Sequence, residues 1–366
     1  MIKIQIPQQQ LDDESIEETH WRWFLDKFTR IRDKRRRNGI LQRVLGIEES
    51  DLETLVKKPL NDPGFIKLND EINARLKAYE KYPNYKRRLK SIEKIFKYDD
   101  FTEDKSGWNS YAYFKALKIS VCPYCNRTYV FTVDKTETFE KKGKKFERIS
   151  KKITAPQIDH FFPQDKYPHL ACSLYNFVPS CSICNHIKSN DVKDIINPHI
   201  EGFEKDGSFR VSFDKECENL ISLNNVNIKI RKTTPFSLNP VKNNEEKEKC
   251  TRIKNSVELF HLIQIYKEHK IELKDLFDRY RNYCQPKRKD ILRLFHEEEL
   301  KNGDGKLTEK QTEAVLSLYA KKMKNMFLGL PLGADGKEYP LRKFKEDIIE
   351  QLDATRKRMR DEITNR

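Results

Sequence analysis

Two matched C-x-x-C pairs, Cys122/Cys125 in Cys-Pro-Tyr-Cys-Asn and Cys181/Cys184 in Cys-Ser-Ile-Cys-Asn, constrain this chain more than any other feature. A C-x-x-C turn offers two sulfurs to one metal because the backbone between them curls its amides toward the thiolates. Two such turns complete a tetrahedron of four thiolates, for which zinc is the default ion. The two pairs must therefore meet in space, whatever the chain does between them. The stretch from Cys125 to Cys181 is far longer than the loop of an ordinary zinc ribbon, so a segment with its own structure hangs from the knuckle. Cys172, Cys217, Cys250 and Cys284 lack partner spacing and read as small buried thiols.

The insert begins with an alternating, β-branched run, Arg127 to Val133, and resumes at Ile153 to Phe162, with Lys141 to Lys145 around Gly143 as a hairpin tip. Asp159 and His160 then fall late in the second strand. Neighbouring strand residues point to opposite faces, so bringing both to one point needs a local bend, and Pro156 and Pro163 bracket the place. Beyond Asn176 and Pro179, the segment Cys181 to Asn190 reads as a short helix with Ser180 as its N-cap. Strand, strand and helix, pinned by four sulfurs, is the expected unit.

These residues resemble the HNH, or ββα-metal, endonucleases. The likeness runs from Cys122 to Lys188: C-x-x-C, Asp159-His160, Asn176 three residues before Pro179, then C-x-x-C-N-x-x-K ending at Lys188. It implies that Asp159 and Asn185 hold one hard divalent cation, Mg2+ or Mn2+, through a carboxylate and an amide oxygen, leaving the rest of the sphere to water and phosphate. It implies that His160 is the general base that deprotonates the attacking water, since its ordinary pKa lies near neutrality. Asn176 is implied as the brace that orients the histidine, and Lys188 as a phosphate contact one turn beyond Cys184. The third motif letter falls on Asn185 or on its neighbour His186, both types being used at that place; Asn185 is favoured because it follows the zinc cysteine directly, and His186 then faces substrate. His169, with no carboxylate before it, reads as a packed surface histidine.

Lysine and arginine total 72 against 57 acids, a formal charge of +15, which suits a polyanionic partner such as nucleic acid better than a small neutral substrate. Basic clusters occur at Lys34 to Arg37, at Lys86 to Arg88 after Tyr82 and Tyr85, and at Lys141 to Lys152. Helical charge runs are usually solvated faces, so only the last cluster, beside the motif, reads as a phosphate track. No run approaches the ~18 apolar residues of a membrane span, and Met1 to Gln10 lacks the apolar core of a secretion signal. With eight cysteines that include two metal pairs rather than a disulfide framework, a cytoplasmic protein is expected.

The fold class expected is α+β, mainly helical, with the ββα-metal core on its four-cysteine zinc knuckle flanked by helices. The boundaries read as a helical region at 1–115, the core at 116–200, a small β segment at 201–240 and a helical region at 241–366. At the N-terminal end, Ile16, Trp23, Phe24, Phe28 and Ile31 keep helical spacing, Ser50 with Glu53 forms a capping box, and a further helix spans Lys67 to Tyr82. Trp108, Tyr111 and Phe114 lead into the knuckle. Phe209 to Phe213 and Asn227 to Lys232 alternate like strands. Two helices are expected within Ser256 to Tyr283, another from Thr308 to Phe327 and a last one at Leu341 to Met359. Asn302-Gly303-Asp304-Gly305 lacks the spacing of a calcium loop and reads as a turn, and no Walker phosphate loop occurs.

Helical leader, nuclease-like motif and helical tail together look like the HNH effector subunits of bacterial phage-defence systems, the Septu type among them, which implies work beside a separate ATPase subunit. The activity expected is phosphodiester hydrolysis, with DNA the first candidate substrate. An RNA-cleaving effector with the same site and a non-catalytic zinc module that binds nucleic acid are the alternatives.

Overall fold

The computed structural model describes residues 1–7, 14–103, 107–141, 144–191, 193–203, 206–212, 225–230, 244–282, 324–325, 328–330 and 339–364. The leader folds as α1 (Ile16–Thr29), α2 (Lys34–Gly39), α3 (Leu52–Lys57), α4 (Pro63–Tyr79), α5 (Tyr85–Glu93), α6 (Asp99–Glu103) and α7 (Ser110–Leu117). Local chemistry sets several of these starts. Ser15 caps α1 by accepting from the Glu18 amide; Asp62 caps α4, whose first residue is Pro63; Asn109 caps α7 by accepting from Tyr111 and Ala112. The capping box expected at Ser50 and Glu53 sits instead at Glu48 and Asp51, because a 3-10 turn at Glu49–Asp51 precedes α3. The helix expected at Lys67 to Tyr82 begins earlier, at Pro63, where Asp62 and proline make a stronger start.

Three antiparallel pairs follow. β1 (Val133–Lys141) pairs with β2 (Lys144–Thr154) as a long ribbon, β3 (Gln157–His160) pairs with β4 (Phe177–Ser180), and β5 (Gly207–Ser212) pairs with β6 (Asn225–Ile230). α8 (Ser182–Lys188) directly follows β4. The strand carrying Asp159 and His160 thus pairs with Phe177–Ser180, in register His160 to Phe177, and not with the Arg127 to Val133 run. That run is used by the knuckle: Cys122 donates to the Thr128 carbonyl and Val130 to that of Ser120. Pro156, which has no amide to give to a ladder, ends β2 before β3 begins, so the expected strand Ile153 to Phe162 is split in two.

The C-terminal part contributes α9 (Asn244–Leu259), α10 (Leu262–Lys267), α11 (Lys270–Asn282) and α12 (Arg342–Thr364). α10 and α11 are the two helices expected within Ser256 to Tyr283; α9 begins earlier and ends at Leu259, and His261, in the left-handed region, turns the chain between α9 and α10. α12 docks on β5: the Phe209 amide donates to Asp347, and Gln351 bonds both the amide and the carbonyl of Val211. Apart from 324–325, which are helical, the helix expected at Thr308 to Phe327 lies outside the described residues, as do the Asn302 to Gly305 turn, Cys217 and Cys284. No described helix is long and apolar enough to cross a membrane.

One apolar core runs through these parts, from Met1 to Ile349. Phe177 of β4 stacks on Phe101 of α6 at 5.3 Å and meets Tyr113 of α7, so the leader packs directly onto the ββα unit. His20 sits at this junction, fully buried. Its Nε2 donates to the Cys172 carbonyl and its Nδ1 accepts from the Trp108 indole, which uses both nitrogens of a neutral ring. His169 is also fully buried, on Asn69, rather than at the surface, and His199 bonds the Phe177 carbonyl.

Burial holds these three imidazoles neutral, lowering His20 and His199 to about 4 and His169 to about 3. The unfolded chain protonates them near their ordinary value, so the stability at stake is complete above about pH 6.5 and declines as pH falls through the folded values, by about 1.4 kcal/mol per pH unit for each ring. The urea midpoint should therefore drop steeply between pH 6.5 and 4; a flat profile across that window would contradict neutral burial.

Candidate metal centre and hydrolytic site

The four sulfurs of Cys122, Cys125, Cys181 and Cys184 lie within 4.8 Å of one another, all buried, and the thiols are free of disulfides. The first pair sits on a tight turn: Asn126 donates to the Cys122 carbonyl and takes a left-handed φ of 50°, a region asparagine tolerates. The Arg127 amide points at the Cys125 sulfur. The second pair straddles the start of α8, with Cys181 rather than Ser180 at the N-cap and Ser180 ending β4. Burial raises the Cys122 thiol, whereas hydrogen bonds from the other three hold Cys125 low. Four buried sulfurs gathered from two turns fit a tetrahedral thiophilic dication, which lets all four ionise together.

Helices from the far end of the chain close over this cluster. The Tyr266 hydroxyl donates to the Cys125 carbonyl at 2.6 Å, the Leu341 amide to the Asn126 carbonyl at 2.7 Å, and Tyr124 stacks on Phe260 at 4.7 Å. The N-terminal segment joins as well, Ile2 donating to the Pro123 carbonyl.

β3 and α8 carry the remaining motif residues. Asp159 is 3 % exposed and uses both carboxylate oxygens: the Tyr124 hydroxyl donates to one, and the Lys188 ammonium to the other at 3.2 Å. Lys188, expected as a phosphate contact, instead points inward, 1 % exposed, and its Nζ also donates to the His160 carbonyl at 2.8 Å. Burial raises the Asp159 carboxyl and lowers the Lys188 ammonium, each opposed by the charge of the other. The Asn185 amide nitrogen donates to Gln157 at 3.0 Å, which leaves its oxygen available on the β3 face shared by Gln157 and Asp159. His186 is exposed to solvent. Asp159 and Asn185 offer a carboxylate and an amide oxygen on one side of β3, but both Asp159 oxygens are already spent on Tyr124 and on the Lys188 ammonium, which a divalent cation would have to displace.

His160 occupies the other face of β3, edge-on to the Tyr98 ring at 4.6 Å and to Phe177 at 5.3 Å. Its Nε2 lies 3.0 Å from the Ala171 carbonyl. A carbonyl only accepts, so Nε2 carries the proton and Nδ1 presents the lone pair. Burial, ahead of that hydrogen bond, lowers the ring to about 4 and keeps it neutral near pH 7. Asn176 holds the loop that supplies Ala171: its oxygen accepts from the Phe162 amide at 2.7 Å and its nitrogen donates to the Phe162 and Leu170 carbonyls. Asp159 and His160 diverge as strand alternation requires, Asp159 toward Tyr124 and Lys188 and His160 toward Tyr98 and Phe177; β3 keeps a regular register on β4 through both residues, without the local bend expected to bring them to one point.

Sequence reasoning missed Tyr124, Gln157 and Tyr98. Tyr124 stands between two motif cysteines, where a hydroxyl could have been suspected; Gln157 and Tyr98 carry no local signal. Of the basic clusters, Arg37 is buried, its guanidinium over Phe28 and bonded to the Phe28 carbonyl, and so is no phosphate contact. Lys86 to Arg88 form the first turn of α5, and Lys151 and Lys152 are exposed at the end of β2.

The Asp159 and Lys188 pair permits a double-mutant test. Lys188→Met leaves a buried carboxylate without its cation and should cost about 3–5 kcal/mol in urea unfolding, whereas Asp159→Asn combined with Lys188→Met should recover most of that loss. Additive losses would show that the two do not interact. No known protein family, curated protein or solved structure matches this chain.

Proposed function

We propose that this chain is a metal-dependent endonuclease of the HNH type, hydrolysing phosphodiester bonds in nucleic acid, with DNA the first candidate substrate and a structural zinc at the four cysteines. The observation that supports it best is the gathering of four sulfurs beside a short β3–β4–α8 unit that carries Asp159 and Asn185 on one side of β3 and, on the other, a neutral His160 whose Nε2 is tied to a carbonyl. A zinc-stabilised binding module would need the sulfurs alone. It would have no use for a histidine fixed in one tautomer by the Ala171 carbonyl, on a loop that a buried asparagine holds.

In this reading His160 Nδ1 takes the proton of the attacking water, and the Ala171 carbonyl steadies the imidazolium that forms by accepting from Nε2. Asn176 keeps that carbonyl in place through the Phe162 and Leu170 bonds. Asp159 and Asn185 would hold Mg2+ or Mn2+, which when bound polarises the phosphoryl oxygen and stabilises the departing 3′ oxygen. Tyr124 and Lys188 orient the Asp159 carboxylate. The formal charge of +15 suits a polyanionic substrate. The wider resemblance to phage-defence effectors extends the proposal to a bacterial antiviral role beside a separate ATPase subunit.

Elemental analysis of the purified chain should find one zinc per molecule, lost together with thermal stability in Cys122→Ser and Cys181→Ser; zinc-free protein of unchanged stability would remove the metal from the proposal. With Mg2+ or Mn2+ and parallel DNA and RNA substrates, cleavage should fall about 10²–10⁴-fold in His160→Ala while nucleic-acid binding persists. Cleavage that survives this substitution would exclude His160 as the base, and cleavage of RNA alone would move the substrate class.

A further inference from the structure

On the His160 face of β3, a groove of about 350 Å3 opens between helices α6 and α7 and the corner where β2 passes into β3. Ile158, two residues before His160 and on the same side of the strand, forms part of it. Tyr98 is shared, since it lines the groove and its ring lies 4.6 Å from that of His160. Whatever occupies the groove is therefore one aromatic ring from the group proposed as the base.

The lining has a particular chemistry. Tyr98, Tyr111 and Phe114 supply aromatic surface, Thr102 and Ser110 supply hydroxyls, and Lys152 supplies a cation, its Nζ 5.2 Å from the Tyr111 ring centroid. The volume lies at the lower end of small-ligand sites, about 300–1,000 Å3. A flat ring that stacks on aromatic surface, offers polar edges to hydroxyls and hangs from an anionic backbone satisfies all three features, and a nucleobase on its phosphodiester chain is such a ligand. An apolar peptide side chain would leave Lys152 and the hydroxyls unused, and a free phosphate would leave the aromatic surface unused.

We infer that this groove seats one nucleobase of the strand being cut, splayed out of its stack, with Lys152 on the adjoining phosphate. The inference rests on the nuclease reading for the identity of the strand, and it adds a specificity site that the motif residues do not provide. Base seating next to His160 makes the rate depend on the nucleotide beside the cut and favours single-stranded or distorted substrate, from which a base leaves its stack at least cost.

The test uses the full chain without divalent cation, titrated with single-stranded oligonucleotides carrying 2-aminopurine at one position. Stacking in the groove should quench the probe. Thr102→Trp, which fills the groove, should abolish the quenching, and Lys152→Ala, at an exposed position, should weaken binding about fivefold or more. Tyr129→Ala, outside the groove, should leave both unchanged and exclude quenching by the exposed Tyr129 and Phe131 pair. Quenching and affinity unaltered in both groove variants would overturn the inference, and should Thr102→Trp not fold, Lys152→Ala decides alone. Cleavage with Mg2+ or Mn2+ separates the two readings. Wild-type cleavage with no probe response overturns the groove alone, a groove-dependent response without cleavage overturns the nuclease reading alone, and neither signal overturns both.

Discussion

Four buried sulfurs within 4.8 Å of one another tie the Cys122–Asn126 turn to the first turn of α8, and most of the site depends on that closure. Because Cys181 and Cys184 straddle the helix start, the direction of α8 is set by the cluster, and with it the side of β3 that Asn185 and Lys188 meet. Tyr124, held between two of the cysteines, can reach Asp159 only because the first turn stands over the same strand. Tyr266, Phe260 and Leu341 then cover the turn from the C-terminal helices, so the long chain on either side of the motif serves as its wall.

Two electrostatic arrangements flank β3. On one side a buried carboxylate is matched by a buried ammonium and a phenol, an arrangement that orients Asp159 firmly and leaves little net stability to be gained from the pair itself. On the other side His160 is kept neutral by burial and fixed in tautomer by a carbonyl. The separation has an electrostatic consequence: an imidazole lying next to a carboxylate would have been drawn toward the protonated form, whereas here the charged pair and the neutral ring are divided by the strand.

The site is legible in the sequence to an uneven degree. Cys122, Cys125, Cys181 and Cys184 are legible because ligand geometry imposes a spacing that survives any surrounding fold. Asp159-His160 is legible as a dipeptide, but the partner of its strand is not: Arg127 to Val133 alternates as a strand should, yet Thr128 to Val130 bond back to the knuckle and Val133 pairs with Thr154, so Phe177–Ser180 takes its place beside β3. Lys188 is expected as a phosphate contact one turn beyond Cys184, and only the position of Asp159 across from it shows why it is buried instead. His169 reads as a packed surface histidine because no carboxylate precedes it, and its burial is illegible because its partner Asn69 lies a hundred residues earlier.

By itself the sequence determined the mainly helical class with small sheets, the cysteine tetrad, the β-then-helix order around it and the periodic faces of α1 and α12. Each of these rests on chemistry within a few residues: ligand spacing, capping, proline and glycine punctuation, apolar period. Tertiary structure alone decided which strand pairs with Gln157–His160, which way Lys188 turns, which nitrogen of His160 bears its proton, and that a groove lies behind Tyr98. Those depend on groups far apart in the chain competing for the same buried hydrogen bonds and charges, and that competition has an outcome only once the core has closed.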